Sequence, residues 1–205
     1  LDANGSPLAF PIIDPDSLTT VARQPTSLLE RTVGPAAQVL ADASGGALLE
    51  GWGRLSGDAP LRAYSLYRHP ENQWEVMAPA ESRDAATYAV PYDNTNARIT
   101  VFAIANTAAQ AGTVHFRLRN DSGALLLADS IDLNSQARTT FILPQRYPAA
   151  NSTLGIAEFD TPPGGHISIL SLRAKGNALA NLPVLANVGA GGGVLPHFAV
   201  HGGFT

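Results

Sequence analysis

The chain repeats itself, and one copy of the repeat is incomplete; no other feature constrains its fold as tightly. RNDSGALLL answers LDANGSPLA, and DSIDLNSQARTTFIL answers LLERTVGPAAQVL. TLGIAEFDTPPGGHISILSLRAK then answers ALLEGWGRLSGDAPLRAYSLYRH, and NALANLPVLAN answers NQWEVMAPAES. Only the second half carries the segments TYAVPYDNTNARITVFAIAN and TVHFRLR ahead of this series. The C-terminal HFAVHGGFT resembles YAVPYDNTNARIT, so the chain ends where another copy of the missing strands would begin.

The segments read as short strands. TVHFRLR alternates, with Val114, Phe116 and Leu118 on one side and Thr113, His115, Arg117 and Arg119 on the other. ITVFAIAN is apolar on both sides, as in a strand inside a sheet, and Ile99–Arg119 reads as a β-hairpin turning at residues 107–112. LDANGSPLAF reads as a strand end, a turn at Asn4–Gly5 and a new strand; SLLERTV and AQVLAD read as two more. Nineteen Gly and fifteen Pro among 205 residues leave few windows for long helices. Turns at short, regular intervals point to β-sandwiches.

The expected fold is all-β: two tandem Ig-like antiparallel sandwiches joined near Ala86–Asn96. Residues 1–86 form the incomplete sandwich and 87–186 the complete one. Residues 187–205 form a Gly-rich linker and a C-terminal donor strand. A sandwich short of strands exposes unpaired N–H and C=O groups and an open core. The chain's own tail, a neighbour's tail, or strands carried by a longer chain can fill it. The start at Leu1, without an initiator Met or signal peptide, reads as a processed product or an excerpt.

The runs YAVPYDNTN…ITVFAIAN, RNDSG, FILPQRYPA, GIAEFDTPPGGHISILSLR and LANLPVLA resemble the tandem β-sandwich repeat domains of large secreted bacterial surface proteins. The match covers the second half well and the first half loosely. The resemblance implies a secreted or cell-surface structural or adhesive module, and carries over no catalytic residue.

Candidate sites are few. GAGGG at 189–193 precedes neither a Lys nor a helix pattern, so it reads as a hinge and not a phosphate loop. His197 and His201, on one side of a strand, stand about 13 Å apart by the rise per residue, too far to share an ion. His69, His115 and His166 read as solvated. Asp14, Asp16 and the Asp93–Asn96 loop offer oxygen ligands but lack calcium-loop spacing, and read as turn residues. Asn4, Asn120 and Asn151 fit the glycosylation pattern at predicted turns. No nucleophile elbow or HExxH occurs, so no enzyme activity and no cofactor is expected. There is no cysteine, hence no disulfide or thiolate metal site. The net charge of −4, with Lys175 the one lysine and twelve scattered arginines, marks no nucleic-acid groove. No apolar run reaches the roughly 18 residues of a membrane span.

The leading expectation is a non-enzymatic extracellular subunit joined to copies of itself head to tail. Phe198, Val200 and Phe204 of one copy enter the open core beside Leu8 and Phe10 of the next, with strand pairing near Pro7–Phe10. The alternative is a glycan- or surface-binding module using Trp52, Tyr64, Tyr67 and Trp74, although burial in a core explains these aromatics more simply.

Overall fold

A computed structural model describes residues 1–11, 25–32, 34–35, 37–38, 40, 49–69, 71, 74–83 and 85–186. Nearly every element is a strand, and every pairing is antiparallel. The strands are β1 (Tyr64–His69), β2 (Trp74–Pro79), β3 (Thr87–Asp93), β4 (Ile99–Asn106), β5 (Gly112–Asn120) and β6 (Leu125–Leu133). They continue as β7 (Arg138–Ile142), β8 (Leu154–Asp160), β9 (Ile167–Lys175), β10 (Ala178–Asn181) and β11 (Leu185–Ala186). One helical turn, α1 (Leu143–Arg146), lies between β7 and β8.

Two sheets of orders β10-β9-β4-β7 and β11-β3-β8-β5-β6 close on a common core; β1 and β2 form a separate hairpin. The alternation read in TVHFRLR is present: Val114, Phe116 and Leu118 are fully buried. Tyr88 and Val90 of β3, Ala157 and Phe159 of β8, and Phe102 and Ile104 of β4 meet them. Phe116 lies 5.0 Å from both the Phe159 and the Tyr147 rings, and Phe102 packs edge-on against Phe141 and Phe159. Such contacts add to the burial energy of each ring.

The expected hairpin over Ile99–Arg119 is not one. β4 pairs with β7 and β9 in one sheet, whereas β5 pairs with β6 and β8 in the other. Residues 107–111 form an arch between sheets, and the buried Asn106 explains why. Its Nδ2 donates to Gln110 O (2.8 Å) and Asn134 O (3.0 Å), while its Oδ1 accepts from Ala108 N (3.0 Å). The amide thus ties this arch to the β6–β7 arch beside it. Asn94 does similar work where β3 passes to β4, donating to Ala150 O (3.0 Å) and accepting from Thr100 N (2.8 Å). A buried amide so satisfied holds a bend that the backbone alone would not. β4 does sit inside its sheet, as its two apolar faces imply.

Pro91 sits in β3 without breaking the sheet. Ala86 and Asn94 bond to β8's flanking residues, so even-numbered residues of β3 face β8 and odd-numbered ones face β11. β11 reaches only Tyr88 and Ala89, so the missing N–H of Pro91 forfeits no ladder bond.

The outer face of the five-stranded sheet is polar. Arg117 bonds Asp160 (2.7 and 3.1 Å) and Glu158 (3.0 Å), and Arg119 also reaches Glu158 (3.2 Å). Burial pushes the Glu158 carboxyl up, but the two guanidinium groups outweigh it and hold it below the usual range. Its contribution is therefore present above the ordinary Glu value of about 4.3 and is lost as pH falls through the depressed native one.

Two outcomes follow. Phe116→Ala should cost about 3–5 kcal/mol in denaturant unfolding, since the cavity opens between two rigid sheets. Glu158→Gln should cost about 0.5–1 kcal/mol at neutral pH and flatten the acid limb of stability below about pH 4, read by urea melts across pH.

Candidate subunit interface

The first half reproduces pieces of the second at the level of single hydrogen bonds. Asn120 N donates to Ala124 O (3.0 Å), Gly123 N to Asn120 O (3.0 Å), and Ala124 N to Asn120 Oδ1 (2.8 Å). In the first half Asp2 N donates to Ser6 O (2.9 Å), Gly5 N to Asp2 O (3.3 Å), and Ser6 N to Asp2 Oδ1 (2.8 Å). Gly123 and Gly5 take nearly the same left-handed φ, 82° and 84°, which favours glycine there. In the second half this turn joins β5 to β6. Leu1 therefore stands where β5 ends, and Pro7–Phe10 where β6 runs.

The next correspondence is a strand crossing. Leu1 and Trp52 exchange both backbone bonds, Leu1 N to Trp52 O (2.7 Å) and Trp52 N to Leu1 O (3.0 Å). Arg119 of β5 and Ile156 of β8 are opposed in the same way. A Cβ on Gly51 would meet Leu1 O at 2.5 Å, and one on Gly155 would meet Arg119 O at 2.0 Å. Gly51 thus corresponds to Gly155, two residues out from an end-to-end match of the two segments. The β1–β2 hairpin likewise corresponds to β9–β10, and β2 lies against β10.

Much of the rest of the first half forms no strand among the described residues. The segments SLLERTV and AQVLAD form no strand in their described part. They correspond to the end of β6 and to β7, which pair with β5 and β4, and the first half has no segment answering β3, β4 or the body of β5. Val76 and Ala78 of β2 are its only buried hydrophobic residues among those described, and nine of the thirteen exposed large hydrophobics lie in it. Leu55 is 64% exposed and Tyr64 61%.

Leu8 and Phe10 are half-buried on one side of their segment, and among the described residues Phe10 is bridged to Thr26 (3.3 and 3.1 Å). Phe198, Val200 and Phe204 lie outside the described residues, as do GAGGG, His197, His201, Asp14 and Asp16. The four aromatics do not share one surface, although Tyr67 and Trp74 fall on the same face of the β1–β2 hairpin. Trp52 is half-buried and donates its indole N–H to Gln136 O (2.9 Å) at the β6–β7 arch. Tyr64 and Tyr67 stand on opposite sides of β1, and Trp74 packs against His69 at 5.4 Å. His115 is exposed, with Nδ1 3.1 Å from Ser130 Oγ.

In the Asp93–Asn96 loop, Asp93 Oδ1 accepts from Thr95 N and Oγ1, and Oδ2 pairs with Arg98 (3.2 Å). Burial pushes this carboxyl up, but Thr95, Arg98 and Arg173 together hold it low. Its oxygens are committed to protein groups.

The first half is anchored on the second by Ala3 O, which accepts from Arg138 N (3.0 Å), and by Glu50, which pairs with the Arg138 guanidinium (3.0 Å). Arg54 donates to Thr107 O at the β4–β5 arch. Arg54, Glu81–Arg83, Thr107 and His166–Ser168 together line a cavity of about 240 Å³. No sequence motif marks it, because its walls come from segments far apart in the chain.

Gly51→Ala should break the Leu1–Trp52 pair, because the obstructing atom is a backbone oxygen. Amide exchange at Trp52 should quicken roughly tenfold or more while the β5 and β8 amides keep their protection. No family model, curated protein or solved structure matches this chain.

Proposed function

We propose that the protein is a non-enzymatic, secreted or cell-surface building block. Its first half is a second, Ig-like sandwich of the same repeat, completed by a C-terminal strand from another copy. The observation that carries this reading is the pairing deficit. The first half holds the Asp2–Ser6 turn, the Leu1–Trp52 crossing and the β1–β2 hairpin, but no segment answering β3 or β4.

Phe198, Val200 and Phe204 supply apolar side chains to the open core of the first half. Each such side chain buried contributes about 1.5–3 kcal/mol, beside the strand hydrogen bonds gained. Donor and acceptor are different surfaces, so the contact is heterologous and propagates into a filament unless it closes as a ring. Trp52, Tyr64, Tyr67 and Trp74 do not fall on one common face, so the glycan-binding alternative has less support.

Intact protein should form polymers in light scattering and negative-stain microscopy, and a chain ending at Leu185 should remain monomeric. Polymers from the shortened chain, or an intact chain that stays monomeric at every concentration, would refute the reading.

A further inference from the structure

The geometry points to a specific acceptor slot for the tail: residues 198–200 run between Gly53–Leu55 and Glu81–Ser82, not beside Pro7–Phe10. This rests on the reading that a tail from another copy completes the first half, and it adds where and in what register.

The internal repeat sets the slot. Phe198-Ala199-Val200 matches Tyr88-Ala89-Val90 of β3. In the second half β3 runs between β8 and β11, with Ala89 opposite Glu158 on one side and Leu185 on the other. Gly51 standing for Gly155 puts Arg54 in the place of Glu158, and Leu55 in that of Phe159. Pro79 standing for Pro183 puts Glu81 and Ser82 in the places of Leu185 and Ala186. Arg54 and Glu81–Ser82 line the same 240 Å³ cavity, so the space they share is where a β3-like strand belongs.

The local chemistry agrees. Trp52 turns its N–H and C=O to Leu1, so Gly53 and Leu55 turn theirs to the opposite side, where no hydrogen bond engages them among the described residues. Nothing lies within 4 Å of a Cβ placed on Gly53. Leu55 is 64% exposed, whereas Phe159 in the corresponding position is fully buried against Tyr88 and its neighbours. Phe198 opposite Leu55 would repeat the Tyr88–Phe159 pair. Pro7–Phe10, by contrast, answers β6, an edge strand whose one partner is β5, and the tail does not resemble β5.

The chain has no cysteine, so engineered pairs report the register directly. Ala199 opposite Arg54 is a non-hydrogen-bonded pair by the β3–β8 pattern, with a Cα separation of about 4.5 Å that a disulfide can span. Three double variants decide: Ala199→Cys with Arg54→Cys, with Glu81→Cys, and with Ala9→Cys as the comparator on the Pro7–Phe10 strand. Mild oxidation should give a ladder of covalent multimers for the first two pairs, lost on reduction, and none for the third. The Glu81 pair guards against a fault from removing the Arg54–Thr107 bond. Cross-linking through Ala9→Cys alone would overturn the slot, as would polymers in which neither wall pair cross-links. A wall pair that closes within a single chain, without a ladder, would leave the slot standing and refute head-to-tail assembly.

Discussion

A strand offers hydrogen-bonding groups on both of its sides, and among the described residues the stretch around Trp52 has a partner on only one. Leu1 closes one side through two backbone bonds. The other side carries the polar groups of Gly53 and Leu55, which flank Arg54 of the cavity lining. An unpaired edge of this kind is a template for another strand. The exposure of leucines and tyrosines nearby is in keeping with the same gap. Leu55 against Phe159 is the clearest case. The first half is therefore held mainly by its neighbour: by Ala3 and Glu50 on Arg138, by Trp52 on Gln136, and by β2 against β10.

The second half owes its closure to a different device. Its chain crosses between sheets at β3–β4, β4–β5 and β6–β7, and two buried asparagines carry these crossings. Asn106 binds two arches at once, so the ends of four strands share one set of hydrogen bonds. With the arches secured, the faces of β5 and β8 divide cleanly. Phenylalanines and small aliphatics go inward, and the Arg117–Glu158–Asp160 network goes out to solvent. One half thus closes two sheets on a common core while the other holds a hairpin and a single strand crossing, and the proposed assembly turns that contrast into a donor and an acceptor.

The places where reading the residues fails are instructive. Residues 107–112 have the composition of a tight turn, and a hairpin and an arch use the same residues there. The deciding group, Asn106, looks in sequence like an ordinary turn asparagine, and only its contacts with Leu133 and Asn134 on another arch reveal its work. SLLERTV and AQVLAD carry strand-like composition, yet their described residues form no strand, because composition alone supplies no neighbour to pair with. The cavity between Arg54 and Glu81 has no local signature at all.

Periodicity and the internal repeat settled the all-β class, which strands face inward with which residues, and the turn shared by Asp2–Ser6 and Asn120–Ala124. These are properties of neighbouring residues, and the backbone period of two transmits them directly. Which sheet each strand joins, and which edges stay open, rests on contacts between residues dozens of positions apart. Leu1 with Trp52 and Asn106 with Asn134 are such contacts, and only the folded chain brings them together.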